Sequence, residues 1–249
     1  MDPRAVDGSQ SFGSSIGALL LGTLCATIIY GVTLCQTFLY YQLYQRDIIV
    51  FRIFVPILVA VETFHTVLTF DCCYHYLVAN YMNPASLQNF HWSLQLLVPM
   101  TGIMTVICEA FYARRVWLFG EQYRRWVILA GKQASSTREV RILYRYESTN
   151  LAVLEKHTWI VAAAYGSATA ADTVLTSTLI YALLKSKSGL RRSDGVVETL
   201  VLYTINTGLL TNIVSVAVFV FALVWPHGLI WTAVSFISNK LNANAVLAA

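Results

Sequence analysis

"KQASSTREVRILYRYESTNLAVLEKH", residues 132–157, carries eight charged side chains and a histidine between two long apolar runs. If it is a loop, the surrounding runs make six membrane spans. If it crosses, there are seven, and everything after residue 157 reverses its orientation. Only "WVILAG" at 126–131 is apolar here, and Lys132, Arg138, Glu139, Arg141, Arg145 and Glu147 follow. Each charge at mid-span costs about 2.5–3.5 kcal/mol on insertion scales. Within 137–147, Val140, Leu143 and Tyr144 share one side of a helix while Arg138, Arg141 and Arg145 share another. That pattern suits a helix lying in the interface better than one crossing.

The rest of the chain leaves little doubt about its class. Of 249 residues 57% are apolar and 12% charged, with mean hydropathy +0.59. Soluble domains carry roughly twice that share of charge. A ~30 Å bilayer core needs about 20 helical residues, and the runs 16–41, 48–70, 93–113, 158–184 and 196–224 qualify, with a weaker one at 229–247. Aromatic residues stand near their ends as interfacial anchors: Tyr40, Tyr41, Tyr44, Trp92, Trp117, Trp159, Trp225 and Trp231. The polar tail 1–15 lacks a basic start and a cleavage pattern, so the run after it reads as a retained first span. The expected fold is therefore an all-α, polytopic helix bundle occupying 16–249.

Lys and Arg gather in short segments between apolar runs, at Arg46/Arg52, Arg114/Arg115/Arg124/Arg125 and Lys185/Lys187/Arg191/Arg192. No polar domain presents a basic face, which argues against nucleic acid as a partner and leaves the lipid bilayer. The segment 71–92 has no Lys or Arg, so it should face away from the cytoplasm, with the N-terminus on that same side. A six-span count then puts eleven Lys and Arg inside and five outside. A seventh crossing at 126–157 brings the short basic loop 185–192 inside, which tilts the reading to seven. The expected location is the plasma membrane or an endomembrane, as an integral membrane protein. Cys25, Cys35 and Cys108 lie within apolar runs and Cys72/Cys73 are adjacent, so all five read as packing residues.

Two longer stretches carry a family resemblance: "HYLVANYMNPASLQNFHWS" (75–93) and "YTINTGLLT" (203–211). Shorter echoes are "ETFH" (62–65), "ARRVW" (113–117), "AAD" (170–172), "KSKSGLRRSD" (185–194) and "KLNANAVLAA" (240–249). Together they resemble a large family of multi-pass membrane proteins from basidiomycete fungi, a domain of unknown function. The resemblance implies seven helices with the N-terminus outside, and it brings no activity. It fails over about 126–157, where the family has an apolar fourth helix, and at Glu62, where the family usually has Asp. The chain thus reads as a seven-helix ancestor with a remodelled, degenerate fourth helix, whether through an altered exon boundary or divergence.

Four residues make a candidate intramembrane site: Glu62, His65, Asp172 and Lys240. Glu62, His65, Thr66 and Thr69 follow the i, i+3, i+4, i+7 spacing of one helix face. At 1.5 Å per residue, Glu62 lies roughly 14 Å, Asp172 roughly 20 Å and Lys240 roughly 17 Å from its helix end. All three are near the midplane, where an ionisable residue marks a functional site by default. The sharp reading is a polar cavity in which a carboxylate pairs with Lys240 and His65 orients it. The bland one is mutual satisfaction that fixes helix register. Glu109 and Glu198 sit beside arginines at inner helix ends and read as salt-bridged or snorkelling. Thr204, Thr207, Gly208, Thr211 and Ser215 form a small-residue packing stripe, and Asn206 and Asn212 lie off it.

Three functions compete. A receptor-like protein would bind a small apolar ligand in the cavity. An intramembrane enzyme of the terpene-cyclase kind would use Glu62 or Asp172 as a desolvated acid. A transporter or scaffold has no discriminating motif. Receptor hallmarks of the G-protein-coupled class are missing, since "EAFYARRVW" (109–117) lacks Asp-Arg-Tyr. Lys240 invites a comparison with opsins, but Phe236 rather than Asp stands four residues before it. Glu62-x-x-His65 has the spacing of half a di-iron motif without a second copy, and no P-loop or dinucleotide signature appears. No metal or cofactor is expected, and the balance leans away from an enzyme.

Overall fold

The computed structural model describes residues 3–43, 49–80, 91–118, 158–185, 191–224 and 230–248. Among them all regular structure is helical: α1 (Pro3–Leu43), α2 (Ile49–Tyr74), α3 (Trp92–Leu118), α4 (Thr158–Lys185), α5 (Arg191–Val224) and α6 (Ile230–Ala248). α2 runs on into a five-residue π-helical turn, His75–Ala79. The expected runs match these helices closely, although α1 starts at Pro3 and so takes the polar N-terminal residues into the same helix. The charged stretch 132–157 and the crossing expected at 126–157 lie outside the described residues.

Among the described residues, four stretches are long and apolar enough to cross a membrane: Gly17–Leu43, Phe51–Ala79, Trp92–Trp117 and Asn206–Val224. On that ground the protein is an integral membrane protein, helical in its described residues. Threonine is frequent inside these helices, and the chain deals with its hydroxyl locally. Thr23, Thr27, Thr37, Thr63, Thr69, Thr101 and Thr105 each donate to the carbonyl four residues back, at 2.7–2.9 Å. A hydroxyl bonded within its own helix demands no partner from lipid.

α6 packs against α1, α2, α3 and α5, and α4 against α3 and α5. The α1–α6 crossing is close because of Gly22, where a Cβ would stand 2.7 Å from the Ala233 carbonyl oxygen and 2.8 Å from its Cβ. Gly208 on α5 meets Thr176 of α4 in the same way, and Ser215 meets Ser238 of α6 at 3.1 Å. The small-residue stripe of α5 therefore faces two neighbouring helices; the side chain of Thr204 lies outside the described residues. Glu198's side chain does too.

Two apolar layers stack within the bundle. One, by the π-helical turn, gathers Leu19, Ala26, Leu68, Cys72, Cys73, Tyr76, Leu97 and Phe236. The other gathers Leu58, Met104, Cys108, Ala243 and Val246. Each of α2, α3 and α6 contributes to both, so each must carry something between them.

Candidate functional site

Between the two layers lies a polar one. On α2 it falls between Leu58 and Leu68 and holds Glu62, His65 and Thr66. On α3 it holds Thr101, between Leu97 and Met104. On α6 it holds Asn239 and Lys240, between Phe236 and Ala243. Apolar packing thus closes the site on two sides. Glu62 and His65 are both 0% exposed, and Lys240 is 1% exposed.

Lys240 spends all its hydrogen-bonding capacity on one turn of α2. Its Nζ donates to Glu62 Oε2 at 2.5 Å, to the Glu62 carbonyl at 3.0 Å and to Thr66 Oγ1 at 2.8 Å. An ammonium has three N–H donors, so none remains. Thr66 Oγ1 itself donates to the Glu62 carbonyl at 2.8 Å, which leaves its lone pairs to receive Lys240. The ammonium also stands 5.2 Å from the centre of the Tyr30 ring, and Tyr30 ties α1 to α2 through a 2.7 Å hydrogen bond to Thr63. Burying an ion pair is costly unless the geometry is good and the surrounding hydrogen bonds are made. Here the cation's are complete.

The anion's are not. Among the described residues Glu62 Oε1 meets no hydrogen-bond partner, and neither do His65 Nδ1 or Asn239 Nδ2. The chemistry of His65 follows from its neighbour. Thr101 Oγ1 uses its hydrogen on the Leu97 carbonyl, at 2.9 Å, so the 3.2 Å contact with His65 Nε2 has the imidazole as donor. The neutral ring then carries its proton on Nε2 and presents Nδ1 as an acceptor. Its face-edge contact with Phe236, centroids 5.9 Å apart and planes at 83°, brings it against α6.

Of the four candidate residues, the structure brings Glu62, His65 and Lys240 into this layer. Asp172 is half-buried on α4 and lies within electrostatic reach of Cys108 and Tyr112 on α3, and Glu62 reaches Cys108 too. Asp172 has no part in the three bonds of Lys240. On α4 the neighbouring Thr173 lies 2.9 Å from Asn212 Oδ1 of α5, a contact between the two helices. Among the described residues no group of three or more His, Cys, Asp or Glu is placed to hold a metal ion.

The layer also contains residues that sequence reasoning passed over: Tyr30, Thr101 and, as a member of the site rather than a neighbour of Lys240, Asn239. Asn239 had a signal, because it keeps helical spacing with Phe236 and Ala243. Tyr30 and Thr101 had none, since their place depends on how α1 and α3 register against α2.

Residues 168–249 match a family of unknown function (DUF6534). The DUF6534 match spans most of α4 and all of α5 and α6, so it takes in Asp172 and Lys240 while Glu62 and His65 lie before it. It overlaps "YTINTGLLT" and "KLNANAVLAA", two of the phrases quoted above for the resemblance. No curated protein and no solved structure matches the chain.

Proposed function

We propose that this chain is a receptor-like, multi-pass membrane protein of seven-helix descent. In this reading it binds a small apolar ligand at the polar layer between α2, α3 and α6, with Glu62, His65 and Lys240 as its polar anchor. The N-terminus and the turn after α2 lie on the non-cytoplasmic side, as the basic segments indicate, and the fungal kinship follows the resemblance. The observation that carries the reading is the buried Glu62–Lys240 pair, which joins α2 to α6 and leaves one carboxylate oxygen unmet. A ligand that meets that oxygen gains a contact specific to one packing of α6 against α2, which is what a bistable receptor element requires. The alternative of an acid catalyst needs a proton free to leave Glu62 towards substrate, whereas Oε2 is already committed to an ammonium. Asp172 keeps that alternative alive only through a second site on α4.

The test is saturable ligand binding by the protein in lipid nanodiscs, read by thermal shift. The probes are ten-carbon molecules on straight and isoprenoid skeletons, each as hydrocarbon, alcohol, acid and amine. At least one is expected to bind saturably to the wild type and not to Glu62→Leu/Lys240→Met, a replacement that keeps a buried pair's volume without its charges. Absence of saturable binding by every probe would remove the receptor reading, as would equal binding by the double variant.

A further inference from the structure

We infer that the polar layer selects a neutral hydroxyl group, so that the ligand class is an apolar alcohol. The inference rests on the ligand-binding reading above and narrows it. Three buried polar atoms of this layer have no hydrogen-bond partner among the described residues: Glu62 Oε1, His65 Nδ1 and Asn239 Nδ2. The first is an acceptor, the second is an acceptor by the donor role of its Nε2, and the third is a donor. They belong to adjacent turns of two packed helices. Glu62 and His65 are one turn apart on α2. Asn239 precedes the lysine bonded to Glu62, and Phe236, one turn before Asn239, touches the His65 ring.

Each simple ligand head group can be set against that inventory. A hydrocarbon meets none of the three atoms. A carboxylate accepts from Asn239 but brings a second negative charge beside Glu62, and Lys240 has no N–H left to neutralise it. An ammonium donates to Glu62 and His65 but adds a second cation beside Lys240. In an interior of low dielectric an added net charge is the dominant penalty. A hydroxyl is neutral and does both jobs: its O–H donates to Glu62 Oε1 or His65 Nδ1, and its oxygen accepts from Asn239 Nδ2.

The deciding experiment compares geraniol, geranic acid, geranylamine and myrcene, which share one carbon skeleton, on nanodisc-embedded wild type and Asn239→Leu. Geraniol is expected to bind at least about tenfold more tightly than the other three, the worth of one buried hydrogen bond. Asn239→Leu removes a group that makes no Nδ2 hydrogen bond in the protein, so the variant is expected to fold, which its thermal unfolding checks. It should weaken geraniol about tenfold and leave myrcene unchanged. If the acid, the amine or the hydrocarbon binds as tightly as geraniol, the hydroxyl inference falls while ligand binding stands. It falls in the same way if Asn239→Leu leaves geraniol untouched, since the layer is then satisfied by water. If none of the four binds saturably, and the straight-chain probes fail as well, both fall together.

Discussion

Helices α1 and α6 pack against each other and differ in almost everything else. The most apolar 18-residue window of Gly17–Leu43 in α1 has mean hydropathy 2.0, yet this part of α1 turns many of its largest side chains outward, with Ile28 71%, Leu21 65% and Phe38 63% exposed. α6 carries a lysine, three asparagines and two serines in 19 residues, and Ser235, Ser238, Asn239 and Lys240 are all buried. The contrast follows from the solvent. Lipid tails are as apolar as leucine, so a leucine gains little by turning inward, while a polar side chain has nowhere to go but another helix. Hydropathy therefore ranks the helices by how much lipid they can face. Between α1 and α6 it runs opposite to how many polar side chains each buries.

That contrast can be broken most directly at its charged end. Lys240→Ala leaves Glu62 buried without its cation, and unfolding in mixed micelles should show a loss of about 3–5 kcal/mol. Adding Glu62→Leu to Lys240→Met should restore most of the stability that either single change removes. A small effect of the single change would mean that the pair is not truly enclosed. Next come the apolar layers. Leu58→Ala, at 0% exposed, should cost about 2–5 kcal/mol as a cavity, whereas Ile28→Ala on the outer face of α1 should lie within ~0.5 kcal/mol of wild type by the same measurement. Equal losses at the two positions would erase the distinction between core and lipid face.

Glycine offers a matched pair within α1 itself. Gly22→Leu must push α6 away from α1 and should cost about 1–3 kcal/mol, while Gly31, with nothing within 4 Å of its would-be Cβ, should accept leucine without measurable loss. Ser215→Ala is the mildest of the series. It removes one hydrogen bond to Ser238, and interhelical bonds of this kind average about 0.6 kcal/mol. For the front and back halves of the chain, single cysteines at 135, 148 and 189 in a cysteine-free background give the sharpest contrast. Labelling of 148 and 189 from opposite sides of the membrane establishes a crossing between them. Labelling of 135 and 148 from the cytoplasm with 189 outside leaves six spans.

Helix positions are legible in the sequence because two strong signals coincide at their ends. The run expected at 158–184 forms Thr158–Lys185, and that at 229–247 forms Ile230–Ala248; in each the apolar stretch stops at charge or turn residues. The stripe through Glu62, His65, Thr66 and Thr69 is legible as well, since helical periodicity needs no knowledge of neighbours. Depth arithmetic puts Lys240 and Asp172 at the same level, but depth is one coordinate of three. Which of the two carboxylates stands next to Lys240 depends on the rotation of α2 and α4 about their axes, and that is decided by packing at places such as Gly22 and Gly208. The same holds for Thr101 and Tyr30, ordinary residues that gain a role only from what faces them. The weak hydropathy of 229–247 reads as a marginal span, whereas it records a helix buried among other helices.

The ion pair joins residues 178 positions apart in the chain, and helices enter a membrane in the order in which they are made. Glu62 is therefore delivered to the bilayer long before its cation exists. Until α6 is made, the nascent protein holds the Glu62 carboxyl group with no Lys240 to meet it, and the face of α2 that α6 will fill stays open. Arrival of α6 closes the apolar layers and the charged pair in a single event. Assembly of this bundle is thus gated by the helix that carries the cation, and a chain stopped before residue 230 carries a built-in mark of incompleteness.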